Sequence, residues 1–169
     1  MSIDGRFERV VQQYGAGLRR LANAWERDPA AQEDLLQEIL LAIWRALPIF
    51  RGEASERTFV FRVAMNRALT HRFRKPPLGE PLDTVREAQD PGRTPEAEAT
   101  ISEQRARLLS AIQSLPVATR QILTLALEGL SRGEIADILG ISENNATVRL
   151  SRARRALQEM LGTYERQRA

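Results

Sequence analysis

The stretch Ser131–Leu157, SRGEIADILGISENNATVRLSRARRAL, decides the fold and reads as two short helices joined by a tight turn, the second heavily basic. Ser131 is placed to cap the first helix. Glu134, three residues on, can accept from the cap's own amide, giving a capping box ahead of the apolar Ile135, Ile138 and Leu139. Gly140 ends that helix, because a residue just past a helix end often needs a positive φ, which glycine adopts without steric cost. Ser142 then stands ready to cap a second helix, which is helix-turn-helix spacing. In that second helix Ala146, Leu150, Ala153, Leu157 and Leu161 recur at steps of three and four and form a buried stripe. Thr147, Arg149, Ser151, Arg152, Arg154 and Arg155 fall largely on the other faces, with no acid between Arg149 and Arg155. A polar helix N-terminus followed by arginines suits phosphates and base edges in a major groove. A solvated basic helix in an all-helical protein is the other reading of the same pattern.

The chain of 169 residues accommodates one domain or two small ones, and its 43% hydrophobic content is that of a foldable globular protein. The absence of cysteine excludes disulfides and thiolate metal sites, and the single histidine, His71, excludes a multi-histidine centre. No apolar run approaches the roughly 18 residues of a membrane span, and the terminus MSIDGRFERV lacks a signal peptide's apolar core. A cytoplasmic location without membrane insertion is therefore expected. The net charge of +3 hides a segregation: residues 1–75 sum to +4, residues 76–100 to −4 and residues 101–169 to +3. Two basic blocks around an acidic segment suit a polyanion held at two places.

Upstream, Phe7, Val10, Val11, Tyr14, Leu18, Leu21 and Trp25 keep the spacing of one helical face. Asp28-Pro29 then supplies a cap with proline at the first helical position. In the second helix Leu35, Leu36, Ile39, Leu40, Ile43, Trp44 and Leu47 are expected inward, and Glu33, Asp34, Gln37, Glu38 and Arg45 outward, before Pro48 stops it. The outward carboxylates and amides read either as a solvated face or as a dock for a basic partner helix. After the turn IFRGEAS, with Ser55 as cap, a third helix is expected from about Glu56 to Arg74. Arg62, Asn66, Thr70 and Arg74 recur along it every four residues beside Phe61, Met65, Leu69 and Phe73. A basic helix interleaved with aromatics can hold a strand backbone and stack unpaired bases, although a three-helix unit needs some of those aromatics as core.

Between residues 76 and 95 lie Pro76, Pro77, Pro81, Pro91 and Pro95 in an acidic setting without hydrophobic period, which marks a linker over residues 76–94. Thr94-Pro95-Glu96 opens the next helix, Ile101, Leu108, Leu109, Ile112 and Leu115 carry it to Pro116, and a further helix through Ile122 and Leu125 closes at Gly129. The tail from Gly162 is expected to fray. The fold class is thus all-α: two small helical domains, residues 1–75 and 95–169, joined by a Pro-rich acidic linker, the second containing the helix-turn-helix.

Three groups of residues together resemble a known family. They are Asp34-Leu35-Leu36-Gln37-Glu38; Phe50-Arg51-Gly52 followed by Thr58 to Asn66; and Leu115-Pro116 with Ser131 to Ala136 and Arg149-Leu150-Ser151-Arg152-Ala153-Arg154. In this order the chain is similar to the sigma factors of bacterial RNA polymerase, of the extracytoplasmic-function (ECF) type that retains only the second and fourth sigma domains. Phe59 stands where the family usually has tryptophan, and Asn144-Asn145-Ala146-Thr147 replaces a more frequent Gly-Thr-Val-Lys. The resemblance implies that Asp34, Leu35, Gln37 and Glu38 dock on the core polymerase. It implies that Phe50, Arg51, Thr58, Phe61, Arg62, Asn66, Thr70 and Arg74 open the minus-ten element and hold its non-template single strand, with Phe50 and Asn66 around a flipped base. It implies that Ser142, Asn144, Asn145, Thr147, Val148, Arg149, Ser151, Arg152 and Arg155 read the minus-thirty-five duplex, with Arg149 and Arg152 foremost. No catalytic residue, metal or cofactor is expected, since the polymerase does the chemistry, and an anti-sigma factor is expected as a further partner. The alternatives are a stand-alone helix-turn-helix regulator whose first domain dimerises or senses a signal, and a helical adaptor with no nucleic-acid role.

Overall fold

The structure is a computed structural model that describes residues 2–74 and 95–168. The described residues form seven α-helices: α1 (Ile3–Trp25), α2 (Pro29–Ala46), α3 (Glu56–Arg74), α4 (Pro95–Ser114), α5 (Val117–Leu127), α6 (Arg132–Leu139) and α7 (Glu143–Arg168). A 3-10 turn, Leu47–Ile49, follows α2. The expected linker lies outside the described residues.

The three helix starts of the first domain each have a local cause. The Ser2 hydroxyl accepts from the Gly5 amide at 3.2 Å, the Asp28 carboxylate from the Ala31 amide at 2.9 Å, and the Ser55 hydroxyl from the Thr58 amide at 3.0 Å. These bonds satisfy amides that the first helical turn leaves without partners. In the first domain α1, α2 and α3 bury Val10, Leu18 and Leu21 against Leu35, Ile39 and Ile43 and against Val60, Ala64 and Met65. Tyr14 meets Phe61 edge to face, with ring centroids 6.3 Å apart at 81°. One position differs from the expected pattern. Ile43 takes the inward place on the last turns of α2, so Trp44, about 100° further round the helix, is 43% exposed. Phe73, on the final turn of α3, lies beyond this core and is 75% exposed.

In the second domain α4 to α7 bury Ile112, Leu115, Ile122, Leu125, Ile135, Ala146, Leu150 and Ala153. Helix α7 runs to Arg168, past Gly162. The two domains also pack on each other, α3 against α6 and α1 against α4 and α5. Nothing in the hydrophobic periodicity announces that contact.

Candidate functional site

The corner between α6 and α7 has the geometry its residues dictate. The Ser131 hydroxyl accepts from the Glu134 amide at 3.2 Å, and the Glu134 carboxylate accepts from the Ser131 amide at 2.7 Å, completing the capping box. Gly140 ends α6 at φ 66°, and the Ile141 amide returns to the Ala136 carbonyl at 3.1 Å. The Ser142 hydroxyl then accepts from the Asn145 amide at 3.1 Å and starts α7. These caps aim the α7 N-terminus outward. Ser142, Asn144, Asn145, Ser151, Arg152 and Arg155 are exposed, Thr147 and Arg149 are half-buried, and Val148 is exposed beside them. Thr147 already donates to the Glu143 carbonyl at 3.0 Å. Among the described residues no carboxylate forms an ion pair with Arg149, Arg152, Arg154 or Arg155. A face of unpaired guanidinium groups beyond a helix N-terminus attracts phosphate.

On α3, Asn66, Thr70 and Arg74 form an exposed row with Arg62 half-buried at its head. Arg51 is exposed in the preceding turn. Phe50 stacks on Phe59, with centroids 4.4 Å apart at 28°, and the Arg6 guanidinium carbon stands 5.1 Å from the Phe50 ring centre. Two of the expected strand contacts are placed elsewhere. Phe61 is 3% exposed and belongs to the first domain's core, packed under Tyr14. Thr58 is 2% exposed because α6 covers it, and its hydroxyl donates to Glu134 at 3.3 Å.

The α2 face is also redrawn. Asp34 and Gln37 are exposed, but Leu35 is fully buried and acts as core. Glu38 is half-buried: its carboxylate accepts from Arg67 at 2.9 Å and lies 3.4 Å from His71 Nδ1. In exchange the face gains Leu41 and Trp44, 46% and 43% exposed, four and seven residues beyond Gln37. The sequence carried that signal in the spacing 37, 41, 44, which was hidden because α2 is apolar nearly all round its last turns.

Charge at the corner is tuned locally. The Ser131 amide holds the Glu134 carboxyl below its ordinary range, against the opposing effect of burial, with Arg57 and Thr58 adding to the lowering. Among the described residues no group of three metal-ligating side chains comes together, and no helix is long and apolar enough to cross a membrane.

Two family descriptions match this geometry. Sigma-70 region 2 matches residues 10–75, the unit of α1 to α3, and sigma-70, region 4 matches residues 105–157, which include the helix-turn-helix. The ECF RNA polymerase sigma factor SigM of Mycobacterium tuberculosis is 30% identical over 158 residues, covering 92% of this chain and 77% of that protein. The RNA polymerase sigma-H factor of Pseudomonas aeruginosa is 30% identical over 172 residues, covering 92% and 86%. A longer relative, the probable RNA polymerase sigma factor RfaY of Xanthomonas campestris, is 32% identical over 161 residues, and the chain spans 40% of its length. The solved structure of the sigma factor RpoE in complex with the anti-sigma factor NepR from Bartonella quintana has the same fold, with a TM-score of 0.71 at 21% identity over 93% of this chain and 97% of that one. With both regions present in order and relatives aligned over nearly its whole length, the chain belongs to the ECF RNA polymerase sigma factors.

Proposed function

We propose that this sigma factor divides promoter recognition between its two domains, residues 1–75 and 95–169. The α2 face of Asp34, Gln37, Leu41 and Trp44 docks on core polymerase. The α3 row of Arg62, Asn66, Thr70 and Arg74, with Phe50 and Arg51 ahead of it, captures the non-template strand of the minus-ten element. The α7 face of Asn144, Asn145, Val148, Arg149, Arg152 and Arg155 reads the minus-thirty-five duplex. The protein performs no catalysis itself, acts in the cytoplasm where polymerase acts, and is restrained by an anti-sigma factor. The observation that carries this reading is the presence, in one chain, of an exposed polar and basic row on α3 and an unpaired arginine face on α7. The first suits a single strand and the second a duplex, the two tasks that promoter opening sets.

Docking is the step on which the rest depends. Replacing Asp34 alone tests charge, and replacing Trp44 tests the apolar anchor, since exposed aromatics at an interface commonly carry about 2 kcal/mol or more. The Asp34→Arg/Trp44→Ala double variant should bind purified core polymerase at least tenfold more weakly in a fluorescence titration, with an unchanged circular dichroism spectrum. Unchanged affinity in the folded variant removes the docking assignment.

A further inference from the structure

The first turn of α1 and the turn that follows α2 meet at one aromatic ring. Ser2 caps α1 and the Arg6 amide returns to the Ser2 carbonyl at 3.1 Å, which sets Arg6 and Arg9 one turn apart on the same side of the helix. Past Pro48, the Leu47–Ile49 turn carries Phe50 out in extended conformation at φ −68° and ψ 116°, and Gly52, at φ 80°, bends the chain toward α3. Phe59 covers one face of the Phe50 ring, with centroids 4.4 Å apart at 28°. A ring filled on one side at stacking distance leaves only its other face, and the Arg6 guanidinium carbon stands over the ring at 5.1 Å. A base that is to stack on Phe50 must therefore take the place of Arg6.

Arg6 is held loosely on every side. Its Nη1 donates to the Leu47 carbonyl at 3.5 Å, the outer limit of a hydrogen bond, and its Nε lies 3.6 Å from Glu56 Oε2. The Glu56 carboxylate has a tighter partner in Arg9 at 3.0 Å, so it stays paired when Arg6 moves. The Leu47 carbonyl likewise keeps the Phe50 amide at 3.3 Å. The Arg6 side chain is 28% exposed, which gives it a way outward. The stack of Phe50 on Phe59 needs no change and remains as a wall.

Resting on the proposed strand-binding role of α3 and the turn ahead of it, we infer that Arg6 belongs to the same pocket: the extruded base takes the Phe50 face that Arg6 now covers, and the Arg6 guanidinium closes over the outer face of that base. The base is then held between an aromatic ring and a planar cation, the two kinds of flat group on which unpaired bases stack. Arginine suits this task better than lysine, since its guanidinium is planar, always charged and weakly hydrated. Its charge also favours the phosphates on either side of the base. Until the strand arrives, the same guanidinium shields the Phe50 ring from water.

The test uses holoenzyme assembled from purified core polymerase and the full chain, titrated with a fluorescein-labelled non-template strand that carries the minus-ten sequence of a promoter mapped by run-off transcription. Replacing each base in turn by an abasic site locates the extruded position as the one whose loss weakens binding most. Arg6→Ala should weaken binding of the intact strand about fivefold, the loss of one cation–π stack, and should leave binding of the strand abasic at that position unchanged. Arg6→Lys keeps the charge beside Glu56 and loses the flat fork, so it should show the same dependence on the base with a smaller loss, about twofold. Equal weakening of the intact and abasic strands by Arg6→Ala means that Arg6 only props the turn, and overturns the inference. So does an intact strand that binds Arg6→Ala as it binds the parent while Phe50→Ala still weakens it, or an abasic series in which no position matters. If Phe50→Ala and Asn66→Ala also leave the affinity unchanged, the strand-binding role of α3 and its preceding turn fails, and the inference falls with it.

Discussion

Asn66 is exposed on α3 between Arg62 and Thr70; its main-chain carbonyl accepts from Thr70 at 2.9 Å, and among the described residues its side chain has no hydrogen-bond partner. Its side-chain amide is therefore free to pair with a base edge, and extruding that base costs a few kcal/mol that edge bonds must offset. Asn66→Ala should slow promoter opening, read by permanganate reactivity of the minus-ten thymines, by about tenfold while leaving closed-complex formation within twofold, the loss of roughly one to two hydrogen bonds. Equal loss of both steps removes Asn66 from strand capture. At this scale the sequence was readable where exposure follows from local spacing, as at Asn66, Arg152 and Arg155, all of which are exposed. It misled at Thr58 and Leu35. Leu35 was inward by its own period and was carried into the docking set by the family motif. Thr58 is covered by Glu134, a partner 76 residues away that no local pattern can announce.

Helices α6 and α7 depend on their caps, and two predictions belong to them. Gly140 turns the corner at φ 66°, and a Cβ there would meet nothing within 4 Å. Gly140→Ala should therefore cost only backbone strain, about 1–2 kcal/mol, seen as a lower urea midpoint with an unchanged slope. A fully neutral result contradicts the left-handed turn. Glu134 titrates below its ordinary value of 4.5 because the Ser131 amide holds its charged form. A group whose folded pKa is depressed stabilises fully above its unfolded pKa and loses that contribution as pH falls through the folded one. The melting-temperature advantage of the parent over Glu134→Gln should thus be fully present above the ordinary carboxylate range and be lost as the pH falls through and below it. An advantage that grows on acidification contradicts the assignment. Element identity was the most legible layer of all, since Ser131, Gly140, Asp28-Pro29 and Ser55 each mark a boundary the structure reproduces. Trp44 was not legible because α2 is apolar on several faces, so its period does not single out one inward line.

At the scale of the molecule, the sequence reading separated two helical domains and placed a duplex-reading helix in one and a strand-reading helix in the other. Their mutual packing, through Arg20 and Glu128 and through Gln113 and the α1 C-terminus, lay beyond it. These hydrogen bonds and ion pairs carry no hydrophobic signature. The family membership explains why these two surfaces coexist.

The measurement that bears most directly on this account is run-off transcription from genomic fragments by purified core polymerase, with and without the protein, mapping every start. The account predicts starts that depend on the protein, share two upstream elements at fixed spacing, and disappear with Asp34→Arg/Trp44→Ala. Starts that are independent of the protein, or a protein that binds a twofold duplex site tightly without polymerase, would contradict it.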